Sequence, residues 1–534
     1  MINRVSQPKV ENKQLNKNTS FKGGAGVAAL TGLRGLNNSP ALGACAVDLC
    51  SMVIPRTAIE MKNRGPQSGI EAAFREGTSC LIHACVGLIG LGAATLLSNK
   101  INSDYGIKAQ NIFASGNTIE NMHNIWTNTK GQESFFNSFL QSVKGLNGTE
   151  MRTVSDSARP EIAKTLVSLA EKTEEMSNAT GSAKKELAKQ IKELKNIAVA
   201  KITQDTGAQA SFELEAGAKK VSSSIGELVD NAVSISNSFK NKSDEVLPGF
   251  VSALKKNKVA STLLGIGICA AMCMSVQPVN RFLTKKRTGQ DGFVGVENKE
   301  SDKSSGFKAA KTIAGIAFPV VAIKSIGNLS DLVSNIQFNS KIPTINQFKF
   351  LYSLTIGSRF LSARDGNELR ESVIKDTLGY TNWLILGGMV SKLTARALGG
   401  KELINNPVVE ENGKKGIKYA FKWLTKASVK SYDEVLLPAV KEITKDGKVE
   451  KFSELFKKAD TATKKKIFKI AGSQVAGYLY SGLVLGVGIA KLNIFITKSL
   501  QKKKNAGKEP VQNISGLNYF KTQGQTSAVF KEFN

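Results

Sequence analysis

The side chains in this sequence best suited to chemistry are few, and their spacing assembles no site. There are only two histidines, His83 and His123, so acid–base catalysis by imidazole has little to draw on. Cys80, His83 and Cys85 are soft donors close together in sequence. Cys80 and Cys85 fall on different faces of a helix and no fourth ligand is near, so a tetrahedral metal centre is not expected. Cys45, Cys50, Cys269 and Cys273 also lie in or beside apolar stretches, where a thiol behaves as a small hydrophobe, and no disulfide framework is visible.

Gly24-x-Gly26-x-x-Ala29 and Gly265-x-Gly267-x-x-Ala270 have the spacing of a dinucleotide loop. The first follows polar residues where a buried strand should be, and the second lies inside an apolar run, so neither can carry a pyrophosphate to a helix N-terminus. Leu42, Gly43, Ala44 and Cys45 resemble a lipoprotein cleavage box, but Arg34, Asn37 and Asn38 interrupt the apolar core ahead of it. Arg359, Arg364, Asp365, Glu368, Arg370 and Glu371 carry opposite charges at helical spacing, the pattern of a solvated helix face. Asp48 stands between Val47 and Leu49; an acid there is costly in lipid, Arg56 is a candidate partner, and a surface helix would relieve the cost. No catalytic, cofactor-binding or metal-binding residue is assigned, and no enzymatic activity is expected.

The elements that would have to position such residues are apolar blocks separated by polar stretches. The run 80–97 has 18 residues without Lys, Arg or acid, 259–276 has 18 between lysine and arginine clusters, and 470–490 has 21 bounded by Lys469 and Lys491. Each approaches the ~20 residues that cross a bilayer, and flanking charges hold span ends in the headgroups. The blocks 312–323, with Pro319 inside it, and 377–391 are shorter and fit either a membrane or an interfacial helix. Small residues recur every fourth position, as Ser261, Gly265, Cys269 and Cys273 and as Gly482, Gly486 and Ala490. Such stripes let helix backbones approach closely in lipid and are expected to be helix-packing faces.

Residues 98–258 differ in kind, with 21 Lys+Arg against 18 Asp+Glu. Apolar residues there recur at spacings of four and three: Ile162, Leu166, Leu169; Leu187, Ile191, Leu194, Ala198; and Val221, Ile225, Leu228, Ala232, Ile235, Phe239. This is a coiled-coil or bundle seam, broken near 177–181 and 206–207, so three helices folding back on one another are expected. Residues 398–469 hold 17 Lys+Arg and 10 Asp+Glu, in short amphipathic helices that suit an anionic bilayer surface or a solvated face.

The fold expected is all-α: a helical integral membrane protein of three to five spans with an inserted soluble helical bundle. Its parts are a disordered basic tail at 1–22, apolar helices over 41–97, the bundle at 98–258, a span at 259–276 and a charged loop at 277–308. Membrane or interfacial helices at 309–397, basic helices at 398–469, a span at 470–490 and a basic tail at 498–534 follow. The net charge of +29 invites a nucleic-acid reading, but aromatic residues are not interleaved with the lysines and no recognition motif is present. The lipid bilayer is the expected partner, with self-association through the span helices and no specific nucleic acid. A non-enzymatic protein of a bacterial cytoplasmic membrane that anchors or displays the bundle is expected. A transporter or channel, and a soluble or peripheral helical protein binding anionic surfaces or nucleic acid, are the alternatives.

Overall fold

The computed structural model describes residues 24–38, 40–240, 242–289, 302–338, 342–386, 388–408 and 416–505. The tail expected at 1–22, the middle of the loop expected at 277–308 and the last 29 residues, 506–534, lie outside them. The structure is 78% helical with few strands. The chain divides into two compact units, and it passes between them at 43/44, 97/98, 258/259, 387/388 and 477/478.

The first unit holds residues up to Gly43, Ser98–Lys258 and Gly388–Gly477. Its larger apolar core is drawn wholly from residues between Ile101 and Leu254. The helices Arg159–Asn178 and Gly181–Thr206 separate at 179–180, and Gly207, at φ +69°, caps the second, a left-handed position that favours glycine. Ile162, Leu166 and Leu169 are buried, as are Ile225, Leu228, Ala232, Ile235 and Phe239 on the helix Ile225–Phe239, whereas Leu187, Ile191 and Leu194 are only half-buried.

This region is not all helix. Val221, placed in sequence at the head of the third seam, lies on a strand. β1 (Val143–Asn147), β2 (Glu150–Thr153), β3 (Phe212–Leu214) and β4 (Val221–Ser223) form an antiparallel sheet in the order β2-β1-β3-β4. Gly148, at φ +67° and first of the two residues between the paired Asn147 and Glu150, turns the β1–β2 hairpin, where a positive φ favours glycine.

Residues 388–477 complete the same unit around Leu403, Trp423, Tyr432, Leu436, Phe452 and Ile467. Hydrogen bonds from Gln204 to the Val440 carbonyl and from the Gly148 amide to Asn405 tie them to the 98–258 region. The Glu434 carboxylate accepts from the backbone amides of Gln209 and Ser431. Burial raises its pKa, against the pull of those donors. On the basic helix Ile417–Lys426, Trp423 is buried while Ile417 and Phe421 are exposed.

The second unit holds Ala44–Leu97, Val259–Gly387 and Tyr478 onward. Among the described residues four helices are long and apolar enough to cross a membrane: Pro66–Leu97 and Ser305–Lys324, which lie within this unit, and Leu247–Thr288 and Thr461–Leu500, whose first turns belong to the first unit. Pro66–Leu97 begins 14 residues before the apolar run 80–97, and Leu247–Thr288 continues well into the expected loop. Their outward faces are apolar: Leu88 is 64% exposed, Val321 67% and Phe495 68%. Water-exposed faces are rarely so uniformly apolar, whereas lipid-facing ones are. The block 377–391 is not one continuous helix. The helix Gly366–Tyr380 passes into a π-helical turn, Thr381–Ile385, and a new helix starts at Met389 after Gly388 at φ +74°. Two more π-helical turns occur at Asp48–Val53 and Gly482–Gly488.

Candidate functional site

The polar ends of the second unit's helices meet in a buried ionic cluster. Ile54–Arg64 follows the first π-helical turn with Pro55 in its first turn, as the missing proline donor allows. It brings Arg56, Glu60 and Arg64; Pro66–Leu97 brings Glu71, Arg75 and Glu76 ahead of its apolar run; Ile345–Leu361 brings Arg359. Gly366–Tyr380 brings Glu368, Glu371, Lys375 and Asp376, and its start is fixed by Asp365, whose side chain accepts from the amides of Asn367 and Glu368.

Glu76 is the centre. Its carboxylate accepts from Arg359 Nη2 at 3.1 Å and lies 3.6 Å from Arg56, 3.4 Å from Arg75 and 3.6 Å from Lys375. Arg359 donates its other terminal nitrogen to Asp376 at 2.9 Å. Beside this core, Arg64 bridges Glu60 (3.4 Å) and Glu371 (2.9 Å), and Glu371 also accepts from Asn493 and Thr497. Glu368 pairs with Arg364 and Arg281.

The carboxylates Asp48, Glu60, Glu71, Glu76, Glu368, Glu371 and Asp376 are thus buried among the bases Arg56, Arg64, Arg75, Arg281, Arg359, Arg364, Arg370 and Lys375. Opposite charges largely compensate one another there, which is what makes their burial tolerable. Burial, reinforced by Arg75, lowers the Lys375 pKa to about 8. Glu60, Arg64, Glu71, Arg75, Lys375 and Asn493 line a cavity of about 10 Å³ of water-accessible volume, room for one water molecule. No family model, curated protein or solved structure matches this chain.

Next to the cluster, His83 is buried edge-on to Tyr352 (5.4 Å between ring centroids) and Phe348 (6.0 Å), and Tyr352 in turn meets Trp383 at 5.1 Å. Both His83 nitrogens, the Tyr352 hydroxyl and the Trp383 indole nitrogen are buried with no hydrogen-bond partner among the described residues. Such groups cost free energy. Among the described residues no group of three or more His, Cys, Asp or Glu side chains is arranged to hold a metal ion.

The charged run at 359–371 is not the solvated face its spacing suggests. Arg359 is 3% exposed and Glu368 and Glu371 are each 4% exposed. Asp48 is likewise buried rather than on a surface helix, with Arg56 and Arg359 within electrostatic reach.

The stripe residues divide. Ser261, Gly265 and Cys269 lie on one buried face, and a Cβ added at Gly265 would sit 3.1 Å from the Gly90 Cα. A Cβ at Gly486 would sit 2.4 Å from the Ser51 carbonyl oxygen, and Ala490 is buried. At Gly482 a Cβ would meet nothing within 4 Å. The π-helical turn Gly482–Gly488 rotates these positions out of an i, i+4 row.

Proposed function

We propose that this chain is a multi-span, non-enzymatic membrane protein that displays its first unit on the non-cytoplasmic face of a bacterial cytoplasmic membrane. The observation that carries it is the alternation of the chain between a unit with ordinary cores and one with apolar outward faces. A water-facing folded unit lies on one side of a bilayer, so every excursion that leaves it and returns crosses an even number of times. The excursion Ala44–Leu97 contains the span Pro66–Leu97, so residues 44–64 supply the other leg, about the length a span needs. Their charges Arg56, Glu60 and Arg64 are paired inside the cluster. Over Val259–Gly387, the continuation of Leu247–Thr288 and the helix Ser305–Lys324 make a second pair, and Thr461–Leu500 crosses last.

This topology puts Lys62, Arg64 and Arg75 on the side opposite the displayed unit, with Arg281, Lys285, Lys286, Arg287, Lys303 and Lys308, and finally Lys502, Lys503 and Lys504. Lysine and arginine in the short loops between spans favour the cytoplasm, whereas long folded segments cross largely regardless of charge, as those carrying Lys255, Lys256, Lys258, Lys464, Lys465, Lys466 and Lys469 on the displayed side have to. The displayed unit and residues 24–43 then lie outside. The test is extraction of membranes with alkaline carbonate: retention supports integral insertion, and release overturns it.

The buried ionic cluster beside π-helical turns favours a second reading, an ion or solute carrier, because transporters build sites from interrupted helices. Reconstituted vesicles that show solute or ion flux above protein-free controls would support it.

A further inference from the structure

The helix Ile417–Lys426 carries no acid and turns two kinds of side chain outward. Ile417 is 92% exposed and Phe421, one turn on, is 57% exposed, with Ala420 exposed and Leu424 half-buried on the same face. Lys422 and Lys426, also one turn apart, are exposed beside them. The other side of the helix is held in the first unit. Trp423 is buried with the Arg396 guanidinium 5.1 Å from its ring centroid, Lys392 donates to the Leu424 carbonyl, and Asn406 donates to the Tyr419 hydroxyl at 3.4 Å. Apolar exposure continues on two further helices of the unit. Met389–Gly399, which supplies Lys392 and Arg396, exposes Leu393 and Leu398. Its Leu398 and Ser391 lie against Gly472 and Gly477 of Thr461–Leu500, which exposes Phe468 and Val475 and carries Lys464, Lys465, Lys466 and Lys469.

We propose that the helix Ile417–Lys426 lies in the headgroup layer of an anionic bilayer, with Ile417 and Phe421 among the upper acyl chains and Lys422 and Lys426 on lipid phosphates. An apolar stripe edged by lysines fits that layer, because the apolar side chains leave water while the amines stay at the phosphates. The charge complementarity is one-sided, with lysines and no acid on the helix, which selects an anionic surface. The chain also leads there: it enters Met389–Gly399 from the second unit at 387/388 and returns to that unit along Thr461–Leu500 at 477/478. The bilayer that takes the second unit's apolar-faced helices is therefore the surface next along the chain on both sides of this helix. The inference rests on insertion of the second unit and adds a lipid contact made by the displayed one.

Fluorescence of the full chain in nanodiscs tests it, with an environment-sensitive probe on a single cysteine in a background where the six native cysteines are replaced. With Ala420→Cys the probe should shift to the blue and be quenched by headgroup-spin-labelled lipid when phosphatidylglycerol is present, and lose both responses in zwitterionic discs. Lys422→Glu with Lys426→Glu should abolish the quenching, and Lys422→Arg with Lys426→Arg should keep it. Leu88→Cys, on the outward face of a span, should be quenched by acyl-chain-labelled lipid in both kinds of disc, and Ser182→Cys, exposed in the first unit, by neither lipid. Quenching at 88 without quenching at 420 would overturn the lipid contact and leave insertion standing, while quenching at neither would overturn both. Quenching at 420 that ignores lipid charge or the lysine reversal, or equal quenching at 182, would also overturn it. So would crosslinking between copies at 420 in place of quenching, which would make the face a self-association surface.

Discussion

Glu76→Gln should be the most damaging isosteric change in the second unit. Glutamine keeps the volume and the hydrogen bond from Arg359 but removes the negative charge shared by Arg56, Arg75, Arg359 and Lys375, all within 3.1–3.6 Å. Breaking a buried pair costs about 3–5 kcal/mol. With one hydrogen bond retained, the lower end, about 3 kcal/mol or roughly a hundredfold in the unfolding equilibrium, is expected. The comparison is Glu175→Gln, which breaks a 2.8 Å pair with Lys172 whose side chains are 50% and 37% exposed; about 0.5 kcal/mol is expected there. Lys375→Met added to Glu76→Gln removes one of the four positive charges left around the glutamine and should recover about 1 kcal/mol or more.

Unfolding by SDS in mixed micelles can be followed for Glu76→Gln by Trp383, the tryptophan of the second unit, once Trp126 and Trp423 of the first unit are replaced by Phe, and for Glu175→Gln by Trp126 once Trp383 and Trp423 are replaced. Equal small costs for Glu76→Gln and Glu175→Gln would refute the reasoning, because they would mean that water screens the cluster.

Gly486→Leu should lower the same SDS midpoint by about 1–3 kcal/mol through overpacking against Ser51 and Pro55, while Gly482→Leu should leave it within about 0.5 kcal/mol; equal effects would restore the simple stripe. Residues 98–258 expressed alone should be a soluble, mostly helical domain, because the larger core closes without residues from elsewhere. Circular dichroism dominated by coil would count against it.

Long periodic segments were legible. The stretch from Ile225 to Phe239 keeps its apolar period over the whole helix and is buried along it, as a seam should be. The sheet was not legible, because β3 and β4 are only three residues each and β1 has Lys144 and Gly145 in place of apolar alternation. Thus Val221 was absorbed into the helical period that follows it.

The ionic cluster was invisible for a different reason. Glu76 and Arg359 are 283 residues apart, and Arg364, Glu368 and Glu371 have the i, i+3 and i, i+4 spacing of an exposed helix. Periodicity reports a face and not what covers it. Nor does an apolar sequence announce a π-helical turn, so Gly482 and Gly486 looked equivalent until the backbone separated them.

The most direct test of display by a membrane-spanning unit is labelling of intact cells with a membrane-impermeant thiol reagent, using single cysteines in a background with the six native cysteines replaced. Cysteines at Thr31, Ser182 and Lys445, all exposed in the first unit, should react from outside, and one at Lys303 should react only after the membrane is opened. Labelling at 303 but not at 182 would invert the topology. Labelling at 182 but not at 445 would contradict the claim that both belong to one unit on one face of the bilayer.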